Sequence, residues 1–188
     1  MGVDPIQYVV DAWGVGAIDP IVVVDYDPEW PALFAALKDR AASALGTLAV
    51  RIEHVGSTAV PGLAAKPIID VDALLRSGND LPAAIAALEG IGYHHEGDLG
   101  IPGREAFRWP AGEPRHHLYV CMPGSEEFRR HVAFRDCLRS HPDLRLAYAE
   151  LKRRLAVRHR EDRDAYTEAK TAFIQGVLRQ ACGDGRPT

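Results

Sequence analysis

The spacing of apolar and polar positions predicts strands interleaved with helices in the first two thirds of the chain, and helices alone after that. Short runs rich in β-branched and aromatic residues predict strands at 21–26, 48–56, 67–75, 103–109 and 115–121. Apolar residues at helical spacing predict helices over 27–46 and 79–92, from Ser125, from Pro142, and along 166–181. The last two strands flank a turn-forming PAGEP, which indicates a hairpin.

This order of elements predicts an α+β domain with one sheet, flanking helices and a helical C-terminal part. A length of 188 residues suits a single domain. Glycines and a proline interrupt any regular pattern in residues 1–20, which we interpret as an N-terminal extension. We place the domain at 21–182 and a short tail at 183–188.

Composition and charge narrow the class of protein. The net charge of −4 argues against a general nucleic-acid binder, whose domain would usually be basic. Cys121, Cys137 and Cys182 lie far apart without CxxC spacing, so we expect reduced thiols that serve packing. No apolar run approaches the ~18 residues of a membrane span, and the N-terminus lacks the basic start of a signal peptide. We therefore expect a cytoplasmic protein that does not interact with membranes.

Two aspartates in an aliphatic strand are the first candidates for chemistry. Asp70 and Asp72 stand within PIIDVDALL, and the two-residue period of a strand points both carboxylates to the same face. Two like charges held this close repel each other, and a divalent cation such as Mg²⁺ or Mn²⁺ between them would remove the conflict. The alternative is a strand end that emerges into water, where both aspartates are simply hydrated.

A Gly-Ser pair follows the preceding strand. Gly56 allows a close approach of the backbone to a ligand, and with Ser57 it can form a nest of N–H groups for an anion. An ordinary turn would also carry these two residues. A Gly-Ser pair followed by a strand with DxD is rarer by chance. The combination would bring hydrogen-bond donors for a phosphate beside metal ligands.

Other polar residues near these strands are candidate phosphate contacts. They are Lys66, Arg104, His54 and Lys170. A hydrogen-bonded core histidine is an equally good interpretation of His54, and Lys170 borders an apolar stripe along which a lysine often extends to water. We interpret 152–154 (Lys-Arg-Arg) as a solvated helix face, and His94 and His95 as structural or surface residues.

The stretch EHVGSTAVPGLAAKPIIDVD resembles the signature of the GrpB-like family, a branch of the nucleotidyltransferase superfamily with a polymerase-β-like fold. The similarity extends to HEGDLGIPGREAF, HHLYVC, FRDCLR and AYTEAKTAFI, and covers nearly all of 21–182. This resemblance implies a nucleotidyltransferase-like mixed sheet. It also implies that Gly56 and Ser57 hold a triphosphate, while Asp70 and Asp72 are catalytic metal ligands.

Superfamily enzymes normally supply a third carboxylate from a later strand, and here that strand reads RHHLYVC without an acid. His117 is the first candidate for the third ligand, with Glu105 or His116 as alternatives. Imidazole ligation would favour Mn²⁺ or Zn²⁺, whereas carboxylates alone favour Mg²⁺ or Mn²⁺.

The resemblance implies transfer of a nucleotidyl group from an NTP to an acceptor that the sequence does not identify. One alternative is a non-catalytic module that binds a nucleotide or another phosphorylated small molecule. Another is a metal-assisted phosphohydrolase.

Overall fold

The computed structural model describes residues 20–180, in which five α-helices cover a five-stranded sheet. The strands are β1 (Ala49–Val55), β2 (Ile69–Leu75), β3 (His94–Gly97), β4 (Arg104–Arg108) and β5 (His116–Cys121). The helices are α1 (Trp30–Leu45), α2 (Leu81–Glu89), α3 (Glu126–Ser140), α4 (Pro142–Arg158) and α5 (Arg163–Gln180). The predicted α+β class, with a mixed sheet and a helical C-terminal part, is confirmed.

The sheet has the strand order β1-β2-β5-β4-β3. Strands β2 and β5 are parallel, and every other neighbouring pair is antiparallel, including the predicted β4–β5 hairpin. Because side chains alternate along a strand, Asp70 and Asp72 of β2 share one face, while Ile69, Val71 and Ala73 point to the other. The two faces therefore have different environments.

The aliphatic face of β2 packs against the first two helices. Val71 and Ala73 join one buried cluster with Leu37 and Leu45 of α1 and Leu88 of α2. Fully burying such an aliphatic side chain contributes about 1.5–3 kcal/mol. This face fixes the position of β2, and so of the aspartates on its opposite side.

The C-terminal helices cover the polar side of the sheet. Ser125 caps α3 by accepting a hydrogen bond from the backbone N–H of Phe128 (3.3 Å), as its position before two glutamates predicts. A second core forms where Leu138 of α3 and Tyr148 of α4 meet Val60 and Leu63 of the loop after β1. This loop, which carries the Gly-Ser pair, is therefore held between the sheet and the helices.

The structure differs from the sequence predictions in two strands, one predicted and one not. The run 21–26 contributes only an isolated bridge, in which Val24 exchanges two backbone hydrogen bonds of 2.9 Å with Ala65. Strand β3 has the polar sequence HHEG and a register shift, so its composition gave no signal for an edge strand.

The predictions for the two chain ends lie outside the described residues. These are most of the 1–20 extension, the end of the last helix with Cys182, and the 183–188 tail. Cys121 and Cys137 are free and buried, as expected for packing thiols. Across residues 20–180, no helix combines the length and the hydropathy needed to cross a membrane.

Candidate phosphate and metal site

The parallel pairing of β2 and β5 sets Asp70 beside His117. The two residues are partners in the register, and His117 Nδ1 donates a hydrogen bond of 2.8 Å to Asp70 Oδ1. Burial by itself would raise the pKa of Asp70, but this hydrogen bond and the charges of nearby histidines lower it. Asp70 is therefore ionised at neutral pH and already fixed in orientation. His117, the first candidate for a third metal ligand, contacts Asp70 through one nitrogen.

Gly56 stands against the carboxylate of Asp70. Val55, the last residue of β1, pairs with Asp70, and Gly56 then turns the chain with φ of +70°. A Cβ atom at position 56 would lie 2.1 Å from Asp70 Oδ2. No side chain larger than hydrogen fits there without moving Asp70. The glycine of the Gly-Ser pair is thus required by close approach to a predicted metal ligand.

Asp72 is fully buried and forms an ion pair with a residue that the sequence analysis did not select. His131 of α3 donates from Nδ1 to Asp72 Oδ2 (2.8 Å), and its Nε2 contacts Glu127 Oε1 at 3.0 Å. Burial lowers the pKa of His131, but hydrogen bonds to both carboxylates outweigh this and raise it to about 10. Asp72 Oδ1 remains buried without a hydrogen-bond partner among the described residues.

A cavity of about 170 Å³ opens beside Asp70. The loop after β1 lines it with Ser57 and Thr58, and β2 and β5 contribute Asp70 and His117. The remaining charged side chains of the lining are all positive: Lys66, Lys152, Arg163 and Lys170. Of the predicted phosphate contacts, Ser57, Lys66 and Lys170 are thus brought together with Asp70.

Three of the four lysines in the sequence line this one cavity. Burial lowers the pKa of Lys152 to about 7, and that of Lys66 and Lys170 to about 8 each. None of these three forms an ion pair with a carboxylate of residues 20–180, and Lys152 Nζ is buried without a hydrogen-bond partner there. Buried cations without acidic partners are a preformed environment for an anion.

The interpretation of 152–154 as a solvated helix face was wrong for Lys152. Its side chain is 2% exposed, and its Nζ lies 4.7 Å from the centre of the Tyr148 ring. Helical spacing explains this, because Lys152 follows Tyr148 by four residues and precedes Leu155 by three, within the buried stripe of α4. The stripe itself was therefore the signal for a buried lysine.

Hydrogen bonds from one side chain of α3 and one of the loop itself fix the Gly-Ser loop. Arg139 donates two hydrogen bonds, of 2.7 and 3.0 Å, to the backbone carbonyl of Ala59. The hydroxyl of Thr58 lies 3.0 Å from His54 Nε2 and donates to the carbonyl of Ile68 at 3.3 Å. These contacts hold the 3-10 turn Ser57–Ala59 at the cavity wall.

His54, a predicted phosphate contact, does not line the cavity. In the register it pairs with Val71, which places it on the aliphatic face, and its ring stacks on Phe34 at 4.6 Å. Burial lowers the pKa of His54 to about 4, so the ring is neutral at neutral pH. It is the core histidine of the alternative interpretation, and it acts on the cavity only through Thr58.

The alternative metal ligands Glu105 and His116 lie on the opposite face of the sheet from Asp70. Glu105 pairs with Val120 in the register and contacts His95 Nε2 at 2.7 Å. His116 is 1% exposed, and its two nitrogens contact the Tyr93 hydroxyl and the Pro114 carbonyl, each at 2.7 Å. Alternation along β4 and β5 turns both side chains away from the aspartates.

Arg104 shares the face of Asp72 but lies outside the cavity lining. Its guanidinium stacks on the Tyr119 ring, with 4.1 Å from Cζ to the ring centre, and it is 7% exposed. Its positive charge acts on Asp72 and Glu127. Arg104 therefore acts on the second aspartate through its charge, and its phosphate contact stays a prediction.

A further carboxylate, Glu53, is the partner of Asp72 on β1 and points to the same face. Arg51 and Arg135 both donate to it at 2.7 Å, and these ion pairs engage both of its oxygens. Burial by itself would raise the pKa of Glu53, but the two arginines lower it. Glu53 thus has the position of an additional acid but is neutralised by arginine.

The two aspartates suit a hard divalent cation whose remaining coordination positions are filled by a bound ligand. Asp70 and Asp72 present carboxylates on one face, and Asp72 Oδ1 is a buried oxygen that has no hydrogen-bond partner within residues 20–180. Within residues 20–180, no group of three or more His, Cys, Asp or Glu is arranged to hold a metal ion. Mg²⁺ is commonly bound by one or two carboxylates together with substrate phosphates and water, so these residues fit that pattern.

Comparison with known proteins places this chain in a family. A UPF0157 protein of Pseudomonas aeruginosa is 43% identical over 173 residues, which cover 90% of this chain and 71% of that protein. The crystal structure of GrpB from Enterococcus faecalis superposes with a TM-score of 0.79 at 33% identity, covering 87% of this chain and 98% of that one.

A structure of Cid1 with the UTP analogue UMPNPP overlaps less, with a TM-score of 0.49 at 12% identity over 69% of this chain and 40% of that one. An overlap of this extent decides nothing about activity. The family model described as GrpB protein matches residues 20–180, which is the whole described region. The chain belongs to the GrpB family.

Proposed function

We propose that this protein is a metal-dependent nucleotidyltransferase that binds the phosphate chain of an NTP in the cation-lined cavity beside Asp70. The nucleotidyl group would be transferred to an acceptor, with pyrophosphate as the leaving group. In this proposal Asp70 and Asp72 hold the divalent cation, and Ser57, Lys66, Lys152 and Lys170 contact the phosphate chain.

One observation supports the proposal: one buried and two half-buried lysines, none in an ion pair with a carboxylate of residues 20–180, surround a cavity whose wall includes an ionised aspartate. Lysines are rarely buried unless a negative charge compensates them. The carboxylate of Asp70 compensates one positive charge at most, so an anionic ligand is the natural partner for the rest. A phosphate chain also brings oxygens that can share a cation with the aspartates.

The fixed geometry of Asp70 supports a role in orienting that ligand. His117 holds one carboxylate oxygen, and the backbone of Gly56 allows the other to lie against the start of the Ser57–Ala59 turn. Preorganised groups lose little entropy when the ligand binds. A bound Mg²⁺ or Mn²⁺ would stabilise the negative charge that develops on the transferring phosphate.

A non-catalytic phosphate-binding module is the second candidate, and the state of Glu53 favours it. The further carboxylate beside Asp72 is paired with Arg51 and Arg135 and so is not available to accept a proton. Such a module would keep the cavity and its affinity for phosphates but would release no pyrophosphate. A metal-assisted phosphohydrolase would release phosphate instead.

The test is incubation of the purified protein with α-labelled NTPs and Mn²⁺ or Mg²⁺, in the presence of cell metabolites as acceptors. We expect pyrophosphate release and transfer of label by the wild type, and loss of both in Asp70→Asn. Lys38→Met is the matched control, because Lys38 is exposed on α1 and is the only lysine outside the cavity. Binding of every NTP without turnover would contradict catalysis and support the module. Release of phosphate alone would support the hydrolase.

A further inference from the structure

The positive side chains of the cavity come from three separate parts of the fold. Lys66 belongs to the loop before β2, Lys152 to α4, and Arg163 and Lys170 to α5. They surround a space of about 170 Å³, and Lys152 is 2% exposed. Like charges that line one small cavity repel each other, and burial of Lys152 adds to the cost of charging it. Protonating all three lysines without an anion in the cavity is therefore unfavourable.

Within residues 20–180, Asp70 is the carboxylate whose charge acts on each member of this lysine cluster (Lys66, Lys152 and Lys170). The groups that act on it are Asp70 of β2, His117 of β5, Arg115 before β5, Tyr148 and Arg153 of α4, and Arg163 and Tyr166 of α5. Asp70 is the only carboxylate among them, and it already accepts a hydrogen bond from His117. Burial and the neighbouring positive charges lower the pKa of Lys152 to about 7, and burial lowers those of Lys66 and Lys170 to about 8.

We propose that binding of a phosphate chain in this cavity is coupled to the uptake of protons from solvent by the lysine cluster. The inference rests on the cavity being the phosphate site of the proposed function, but it does not require catalysis. With Lys66, Lys152 and Lys170 charged and Asp70 ionised, these four lining side chains carry two excess positive charges. The negative charges of a phosphate chain can compensate this excess.

The coupling follows from the thermodynamic linkage between anion binding and lysine protonation. An anion in the cavity favours the charged form of each lysine, because ammonium groups make charge-assisted hydrogen bonds to phosphate oxygens. Its binding thus raises the pKa values of the cluster, and protons move from solvent to the protein wherever the free cluster is only partly protonated. Affinity for the phosphate chain therefore falls as the pH rises from about 7 to 9, by up to about tenfold per pH unit for each proton taken up.

Calorimetry with inorganic tripolyphosphate, without metal, measures the protons directly. Titrations at pH 8 in buffers of low and high ionisation enthalpy should differ in observed heat, with a slope of roughly one to two protons taken up per ligand. Sulfate is the second probe, because this tetrahedral dianion does not titrate between pH 6 and 9. Protons taken up with sulfate come to the protein and not to the ligand.

The matched variants are Lys152→Met and Lys38→Met. The first keeps the cavity filled with a side chain of similar length and removes the most buried amine, so proton uptake should fall by up to about one proton. The second removes the exposed lysine of α1 and should leave uptake unchanged. Should Lys152→Met fail to fold, the four lysine side-chain NMR signals of the wild type provide the same information. Three of the four should shift their titration to higher pH when tripolyphosphate saturates the protein, and the Lys38 signal should not respond.

The outcomes separate this inference from the proposed function. Binding of tripolyphosphate and of sulfate, each with the same heat in both buffers, would overturn proton coupling and leave the phosphate site in place. Failure of the wild type to bind tripolyphosphate at any pH would overturn both. Proton-coupled binding by a protein that turns over no NTP would support the inference and contradict nucleotidyl transfer.

Discussion

The backbone of Gly56 lies so close to the Asp70 carboxylate that a side chain at position 56 does not fit between them: a Cβ atom there would lie 2.1 Å from Asp70 Oδ2. Gly56 also has φ of +70°, a region that side-chain-bearing residues seldom adopt. The contact joins the end of β1 to the middle of the site, so the backbone after β1 sets where the Asp70 carboxylate lies.

The first prediction concerns Gly56→Ala, which should displace Asp70 as well as strain the backbone. Gly62→Ala is the matched control, because Gly62 has φ of +77° but nothing within 4 Å of an added Cβ. We expect Gly62→Ala to lose about 1 kcal/mol of unfolding free energy from backbone strain alone. Gly56→Ala should lose more, and it should also lose Mn²⁺-dependent nucleotide affinity. Urea unfolding and calorimetry measure both, and equal effects of the two variants would contradict the contact.

The second prediction concerns the contribution of the other cavity lysines. Lys66→Met and Lys170→Met should each weaken tripolyphosphate binding at pH 7 by about tenfold or more, since a hydrogen bond to a charged group contributes roughly 1.5–3 kcal/mol. Lys38→Met should bind as the wild type does. Full affinity in both cavity variants would show that the phosphates bind elsewhere.

The third prediction concerns pH and the ion pair of His131 with Asp72. The folded-state pKa of His131 is raised to about 10 from an ordinary 6.5, so its stabilisation is fully present below pH 6.5 and is lost as the pH rises through 10. His131→Gln should unfold more easily than the wild type by roughly 2–4 kcal/mol at pH 6.5, less than for a fully buried pair because 28% of the His131 side chain is exposed. The difference should narrow by pH 10, as measured by urea unfolding. A constant difference across this range would contradict the ion pair.

The fourth prediction separates the two faces of the sheet. Glu105→Gln should retain metal-dependent turnover, because Glu105 points away from the aspartates and contacts His95. Asp72→Asn should abolish turnover, since it removes a proposed metal ligand on the same face of β2 as Asp70. Turnover rates of the two variants, measured across Mn²⁺ concentrations, test this prediction. A loss of turnover in Glu105→Gln that high Mn²⁺ concentrations restore would contradict the assignment of Glu105 to the opposite face.

Local patterns predicted most of the fold. The proline and glycine signals around α1 and α2 are local, and so is the Ser125 cap of α3. The two-residue period of β2 predicted that Asp70 and Asp72 share a face. The run 21–26 failed because its β propensity found no neighbouring strand beyond the single bridge of Val24.

The composition of the site depended on long-range pairing, which a single sequence does not reveal. Which of His116 and His117 faces the aspartates depends on the parallel register of β2 with β5. His131 and Lys152 were missed for a different reason, because each is a polar residue on the buried stripe of its helix. His131 follows Phe128 by three residues and precedes Arg135 by four, so helical spacing alone could have selected it.

The most direct test of the account is a crystal structure of the protein soaked with a non-hydrolysable NTP analogue and Mn²⁺. We predict anomalous density for Mn²⁺ between Asp70 and Asp72, and the phosphate chain among Lys66, Lys152 and Lys170. Phosphates bound outside this cavity, or Mn²⁺ bound at His94 and His95 with the aspartates unoccupied, would contradict it.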